Sequence, residues 1–125
     1  MSIKVLIVED HADSLEVLTI QLQALGYEVI EATSGEEGIE KAQVYHPEII
    51  VMDLGLPGID GIEATQRLKK NPLTTHFPVI AHSAWPEDKA RSEGGRAGMS
   101  DFLTKPTPPY RFKSTIERCL KAGAI

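Results

Sequence analysis

Glu9-Asp10, Asp53, Ser83 and Lys105 are the residues of this 125-residue sequence whose types suit one another chemically. Three carboxylates brought into one cleft repel, and the repulsion is relieved by raised pKa values or by a bound cation with an ammonium group beside it. Hard oxygen ligands in an open, hydrated site suit Mg²⁺, which keeps several waters and bridges carboxylate to phosphate. Lys105 would supply a compact positive charge on the other side. Together these groups would neutralise a phosphoryl group approaching Asp53, and phosphoryl transfer to a carboxylate nucleophile needs just such positioning and charge compensation. Taken singly, each residue has a plainer explanation: Glu9-Asp10 as a solvated turn, Asp53 as a turn or cap residue, Lys105 as surface charge. The chemistry therefore depends on whether the fold brings them together.

The elements that must do so alternate regularly. Ile3 to Val8 is an apolar, β-branched run that breaks at Glu9-Asp10, as a strand buried on both faces would. Leu15, Leu18, Leu22 and Leu25 then recur at helical spacing, with Asp13 and Glu16 placed as a capping pair and Gly26 as the stop. Tyr27 to Ala32 predicts a second strand, and Ser34 with Glu37 opens a second helix. Glu48 to Asp53 is a third strand. A turn holding Gly55, Pro57, Gly58 and Gly61 leads to a helix around Ile62 to Lys69 that Asn71-Pro72 ends.

Pro78 to Ala84 reads as a fourth strand. The helix expected within Pro86 to Ala97 is the weakest element, because Gly94-Gly95 inside it costs roughly 1 kcal/mol per glycine relative to alanine, so it is expected to be short or mobile. Asp101 to Thr104 makes the fifth strand, and Phe112, Ile116, Cys119 and Leu120 stripe the last helix. Five such units imply right-handed crossovers and an α/β fold: a doubly wound, five-stranded parallel sheet with helices on both faces. In order 2-1-3-4-5, strands one and three are neighbours, and ligands bind beyond the carboxyl ends at the switch point. Glu9, Asp10, Asp53, Ser83 and Lys105 all stand at those ends.

Composition sets the outer limits. The length suits one domain, taken as residues 1–125, that buries roughly two-thirds of its unfolded surface. With 42% hydrophobic and 25% charged residues the chain has a globular balance. A formal charge of −5 disfavours direct nucleic-acid contact. Neither a spanning apolar run nor a secretory leader is present, so no membrane partner and a cytoplasmic location are expected. Cys119 is the only cysteine and reads as a small core residue.

Four segments in order carry a resemblance that covers essentially the whole chain: Val5 to Asp10, Ile50 to Leu54 with Pro57 to Gly61, Ser83-Ala84, and Asp101 to Pro106. The chain resembles the receiver domains of bacterial response regulators in two-component signalling, including the stand-alone chemotaxis and sporulation types. The resemblance implies that Asp53 is the phosphoacceptor and that Asp10 and Asp53 bind Mg²⁺ directly. It also gives the backbone carbonyl of Gly55 to the metal and has Glu9 hold metal-bound water. Ser83 and Lys105 would each contact a phosphoryl oxygen, Phe102 would rotate inward as the switch aromatic, and the Lys105-Pro106 bond would be cis. The implied donor is a histidine kinase or phosphotransfer protein, and the implied output is a protein target or output domain reached through the surface of the fourth helix, fifth strand and fifth helix.

Departures and alternatives stand beside this. Gly55 and Trp85 occupy the places that border hydrolytic water, and neither can orient it as a polar side chain would. Trp85 reads equally as a plug between loop and sheet or as a lid on the phosphoryl group. A Mg²⁺-dependent aspartyl phosphatase-like enzyme would need a second acid two residues after the nucleophile, where Gly55 stands. A phosphorylation-independent receiver-like binding module would tolerate a degenerate site, whereas this set is complete. A flavodoxin-like cofactor binder would need a hydroxyl-rich phosphate loop where Glu9-Asp10 stand, and Gly55-Leu56-Pro57-Gly58 lacks the residues of a P-loop. His11, His46, His76 and His82 show no paired ligand spacing and read as structural or surface residues.

Overall fold

The runs Val5–Val8 and Ile49–Met52 are apolar on both faces, so the sheet they form must be covered twice. The computed structural model, which describes residues 2–123, shows how. Its elements run β1 (Lys4–Val8), α1 (Ala12–Ala24), β2 (Glu28–Ala32), α2 (Gly35–Tyr45), β3 (Ile49–Met52), α3 (Gly61–Lys70), β4 (Val79–Ser83), α4 (Glu87–Ala97), β5 (Asp101–Thr104) and α5 (Pro109–Gly123). The strands form one parallel sheet in the order β2-β1-β3-β4-β5.

Alternation along each strand sorts the core into two layers. Leu6, Val8, Ile50, Met52, Val79 and Ala81 pack with Ala42, Ala64, Leu68 and Ala90 of α2, α3 and α4. Val5, Ile7, Ile49, Val51, Ile80 and Leu103 pack with Leu15, Leu18, Leu22, Phe112, Ile116 and Cys119 of α1 and α5. Among the described residues no helix is long and apolar enough to cross a membrane.

Helix termini follow the expected chemistry in α2 and depart from it in α1. Ser34 caps α2 by accepting from Glu37 N at 3.1 Å, and Glu37 Oε1 accepts in return from Thr33 N at 2.6 Å. In α1 the expected Asp13–Glu16 pair does not cap: the helix begins at Ala12 with His11 at the N-cap, so Asp13 lies within the first turn and acts there only through the helix dipole. His11 N instead donates to Glu9 Oε2 at 3.2 Å. Gly26 stops the chain in the left-handed region as expected, with φ 98°.

The fourth helix is not short, which corrects that half of the expectation: it spans eleven residues. Gly94 is explained by packing: a Cβ there would come within 2.5 Å of Phe102 Cε1 and 2.9 Å of Met99 Sδ. The glycine lets α4 approach β5 closely enough to hold the Phe102 ring.

Candidate functional site

Glu9, Asp53 and Lys105, each directly after a strand, are fixed by backbone. Glu9 N donates to Ala32 O at 3.0 Å, Asp53 N to Val8 O at 3.0 Å, and Lys105 N to Ser83 O at 2.8 Å. Each prolongs the ladder by one bond past its strand, so the side chain leaves the sheet at its carboxyl end with little freedom. Gly61, at the start of α3, lets that helix press on the nucleophile's own peptide, since a Cβ there would overlap the Asp53 carbonyl oxygen.

Lys105 joins the carboxylates. Its ammonium donates to Glu9 Oε1 at 2.7 Å and to Asp53 Oδ2 at 3.3 Å. Asp53 Oδ1 accepts from Gly55 N at 3.0 Å. The side chains of Glu9 and Asp53 are only 2% and 9% exposed, so their charges are poorly screened. Burial pushes the Glu9 carboxyl up, but the hydrogen bonds from Lys105 and His11 N outweigh it and hold the group below its usual range. At Asp53 burial prevails, aided by the negative charge of Glu9, and the carboxyl is raised despite Gly55 N and Lys105. Burial lowers Lys105, yet its two acidic partners carry it above the ordinary lysine value.

The acidic donors fit a divalent cation. Ligand atoms of Glu9, Asp10, His11 and Asp53 all lie within 4.8 Å of one another, and Asp10 Oδ1 is buried without a hydrogen-bond partner. A buried, unpaired carboxylate oxygen facing other acids is what a hard cation would satisfy.

Ser83, Trp85 and Phe102 make no hydrogen bond to Asp53 and have partners of their own. Ser83 is buried, and its Oγ accepts from Trp85 N at 2.9 Å. Trp85 is half-buried against the layer of α2, α3 and α4, with Lys89 Nζ 4.1 Å above its ring. Phe102 is half-buried beneath the Arg91 guanidinium, 5.3 Å from ring centroid to Cζ. The Lys105-Pro106 peptide is cis.

Two histidines read from sequence as structural or surface residues lie close to this cleft. His11 is 72% exposed, with Nδ1 3.4 Å from Glu9 Oε2 and 3.5 Å from Asp10 Oδ1. Its place directly after Glu9-Asp10 was the available signal. His82 packs edge-on against Phe112 at 5.0 Å and lines, with Asp13, Leu18 and Lys105, a cavity of about 510 Å³ between α1 and α5. Burial, then the Lys105 charge, lowers its pKa to about 4. Period-2 alternation after Ala81 was the signal for its facing α1 and α5.

Comparison with known proteins agrees with this geometry. The family model for the response regulator receiver domain matches residues 5–117. The alkaline phosphatase synthesis transcriptional regulatory protein PhoP of Bacillus subtilis is 34% identical over all of this chain, which spans about half (51%) of that protein's length. The polar-differentiation response regulator DivK of Brucella ovis is 34% identical, covering 96% of this chain and 98% of its own. A receiver domain of a Pseudomonas aeruginosa PAO1 sensor histidine kinase, solved with magnesium coordinated in its active-site cleft, is 28% identical. It superimposes with a TM-score of 0.89, covering 97% of this chain and 99% of that one.

Proposed function

This chain belongs to the response regulator receiver domain family, and on that premise we propose that it accepts a phosphoryl group on Asp53 in a Mg²⁺-dependent reaction and thereby switches a protein-binding surface. The observation that carries the proposal is the Lys105 ammonium bridging Glu9 and Asp53 at 2.7 and 3.3 Å. It sets a fixed positive charge beside Asp53, whose carboxyl burial raises on balance while that of Glu9 is lowered.

In this reading an Asp53 carboxylate oxygen attacks phosphorus, the bond from phosphorus to the donor's nitrogen or oxygen breaks, and the electron pair leaves with the donor. Asp53, Asp10 and the Gly55 carbonyl would hold Mg²⁺, with Glu9 acting through water. The ion supplies charge neutralisation between carboxylate and phosphoryl oxygens when bound. Lys105 exchanges its Asp53 contact for a phosphoryl oxygen. Ser83 gives up the Trp85 N–H and donates its hydroxyl to another, which draws on the loop between β4 and α4 and frees Phe102 to turn inward. The surface of α4, β5 and α5 changes in response.

A histidine kinase or phosphotransfer protein is the proposed donor, and a protein target or output domain the proposed reader. Residues 1–125 act in this reading as one receiver unit, in the cytoplasm, as a signalling switch that catalyses only its own phosphorylation and dephosphorylation. Incubation with Mg²⁺ and acetyl phosphate, followed by intact-mass measurement, tests the proposal. One phosphoryl group should add to the unmodified chain and none to Asp53→Asn; equal gain by both, or gain by neither, refutes it.

A further inference from the structure

The imidazole of His11 enters none of the steps above, yet it is held against the acids. His11 is the N-cap of α1, its backbone N–H is tied to Glu9 Oε2 at 3.2 Å, and its Nδ1 lies 3.4 Å from that same oxygen and 3.5 Å from Asp10 Oδ1. Ligands at roughly 2.1 Å from a six-coordinate ion stand about 3 Å apart when adjacent. The His11 nitrogen and Asp10 Oδ1 are thus spaced, within about half an ångström, as neighbouring ligands would be, with Glu9 Oε2 beside them to hold a metal-bound water. Asp10 Oδ1, the oxygen nearest the imidazole on that residue, is the buried atom without a hydrogen-bond partner. Since the ring is mostly exposed, it can close the remaining gap by side-chain rotation alone, without moving the backbone.

We propose that His11 is a nitrogen donor of the Glu9–Asp10–Asp53 site and makes it selective for borderline transition cations such as Ni²⁺ and Co²⁺ over Mg²⁺, beyond the preference an all-oxygen site would show. The inference rests on the reading of that cleft as a cation site. Its chemical basis is the mismatch between ligand and ion. Mg²⁺ takes oxygen ligands and gives up water reluctantly, so the imidazole adds little to it. Transition ions gain a strong bond from imidazole nitrogen. The receiver cleft of this chain would then carry Mg²⁺ on its oxygens and a tighter, nitrogen-ligated mode for ions of the second class.

Calorimetric titration of the untagged chain with Ni²⁺ and with Mg²⁺, alongside His11→Ser and Asp10→Asn, tests this. Serine serves well at an N-cap, so the first variant removes the imidazole and keeps the helix start. The Mg²⁺-to-Ni²⁺ ratio of dissociation constants should fall about tenfold in His11→Ser, with Mg²⁺ affinity changed less than about threefold. Pulsed electron paramagnetic resonance on the Mn²⁺ form should show a nitrogen coupling that His11→Ser abolishes. An unchanged ratio with no such coupling, or a gain in affinity for both ions, overturns the role of His11 while leaving the cation site in place. Absence of Mg²⁺ binding, or binding that Asp10→Asn leaves intact, overturns the cation site and the His11 inference together.

Discussion

Lys105 Nζ donates to Glu9 Oε1 at 2.7 Å, joining the loop after β5 to the end of β1 across 96 positions of sequence. Glu9 has almost no solvent to replace that partner. Lys105→Met should therefore destabilise the metal-free protein at neutral pH by about 2 kcal/mol, less than the roughly 3 to 5 kcal/mol of a fully buried pair because Lys105 is itself partly exposed. Millimolar Mg²⁺ should restore part of the loss by binding only the folded state. Urea denaturation with and without Mg²⁺ measures both effects, and a variant as stable as the parent in metal-free buffer would contradict the account.

His82 predicts an acid limb in the stability profile. Its ring faces Lys105 and Asp53 at the cleft, Asp13 across the cavity and Phe112 of α5. Burial lowers its pKa from 6.5 to about 4, so between those values the unfolded chain binds a proton that the folded one refuses. The contribution is complete above pH 6.5 and is lost as the pH falls toward 4, amounting to roughly 3 kcal/mol. In His82→Leu this part of the slope should vanish from urea denaturation measured between pH 4 and 7. Parallel profiles for parent and variant would show that His82 contributes none of it.

Adjacent glycines of α4 should respond oppositely. Gly94→Ala places a methyl against Phe102 and Met99 and should cost about 1 to 3 kcal/mol by overpacking. Gly95→Ala meets nothing within 4 Å and should stabilise by about 0.5 to 1 kcal/mol through helix propensity. Thermal denaturation of the two variants distinguishes them, and a shift of the same sign in both would mean that Gly94 is not there for packing.

Trp85 sets a prediction for the phosphate's lifetime. Its N–H holds Ser83 Oγ and its ring carries Lys89, so the tryptophan is anchored beside the hydroxyl proposed to meet the phosphoryl group. Trp85→Glu replaces apolar cover with a group able to orient water and should hasten loss of phosphate several-fold. Decay followed after removal of the donor measures this; an equal or longer lifetime in the variant would count against the covering role.

Legibility of the site and of the fold differed for physical reasons. Strand ends were readable because buried parallel strands are continuous apolar runs that stop sharply, at Glu9 and at Asp53. Strand order then placed Lys105 near both, as its two hydrogen bonds show. Gly94 was misleading because propensity weighs a helix in isolation, whereas the reason for this glycine is the Phe102 ring on another element. The α1 start was misplaced because Asp13 and Glu16 match a capping pattern locally, while His11 is fixed two residues earlier by the Glu9 side chain at the preceding strand end. The histidines read as structural or surface residues, and the exposure of His11 and the packing of His82 on Phe112 fit that; spacing along the chain does not register that one ring lies beside an acidic pair and that a strand turns the other toward a distant lysine.

The claim that Asp53 is the acceptor is tested most directly by locating the phosphoryl group. The chain is treated with Mg²⁺ and acetyl phosphate, reduced with borohydride so that an aspartyl phosphate becomes homoserine, digested and sequenced by tandem mass spectrometry. The account predicts homoserine at position 53, dependent on Mg²⁺, with Asp10 and Glu9 unmodified. Modification at Asp10 or Glu9 in place of Asp53, or no modification at any of the three, would contradict it.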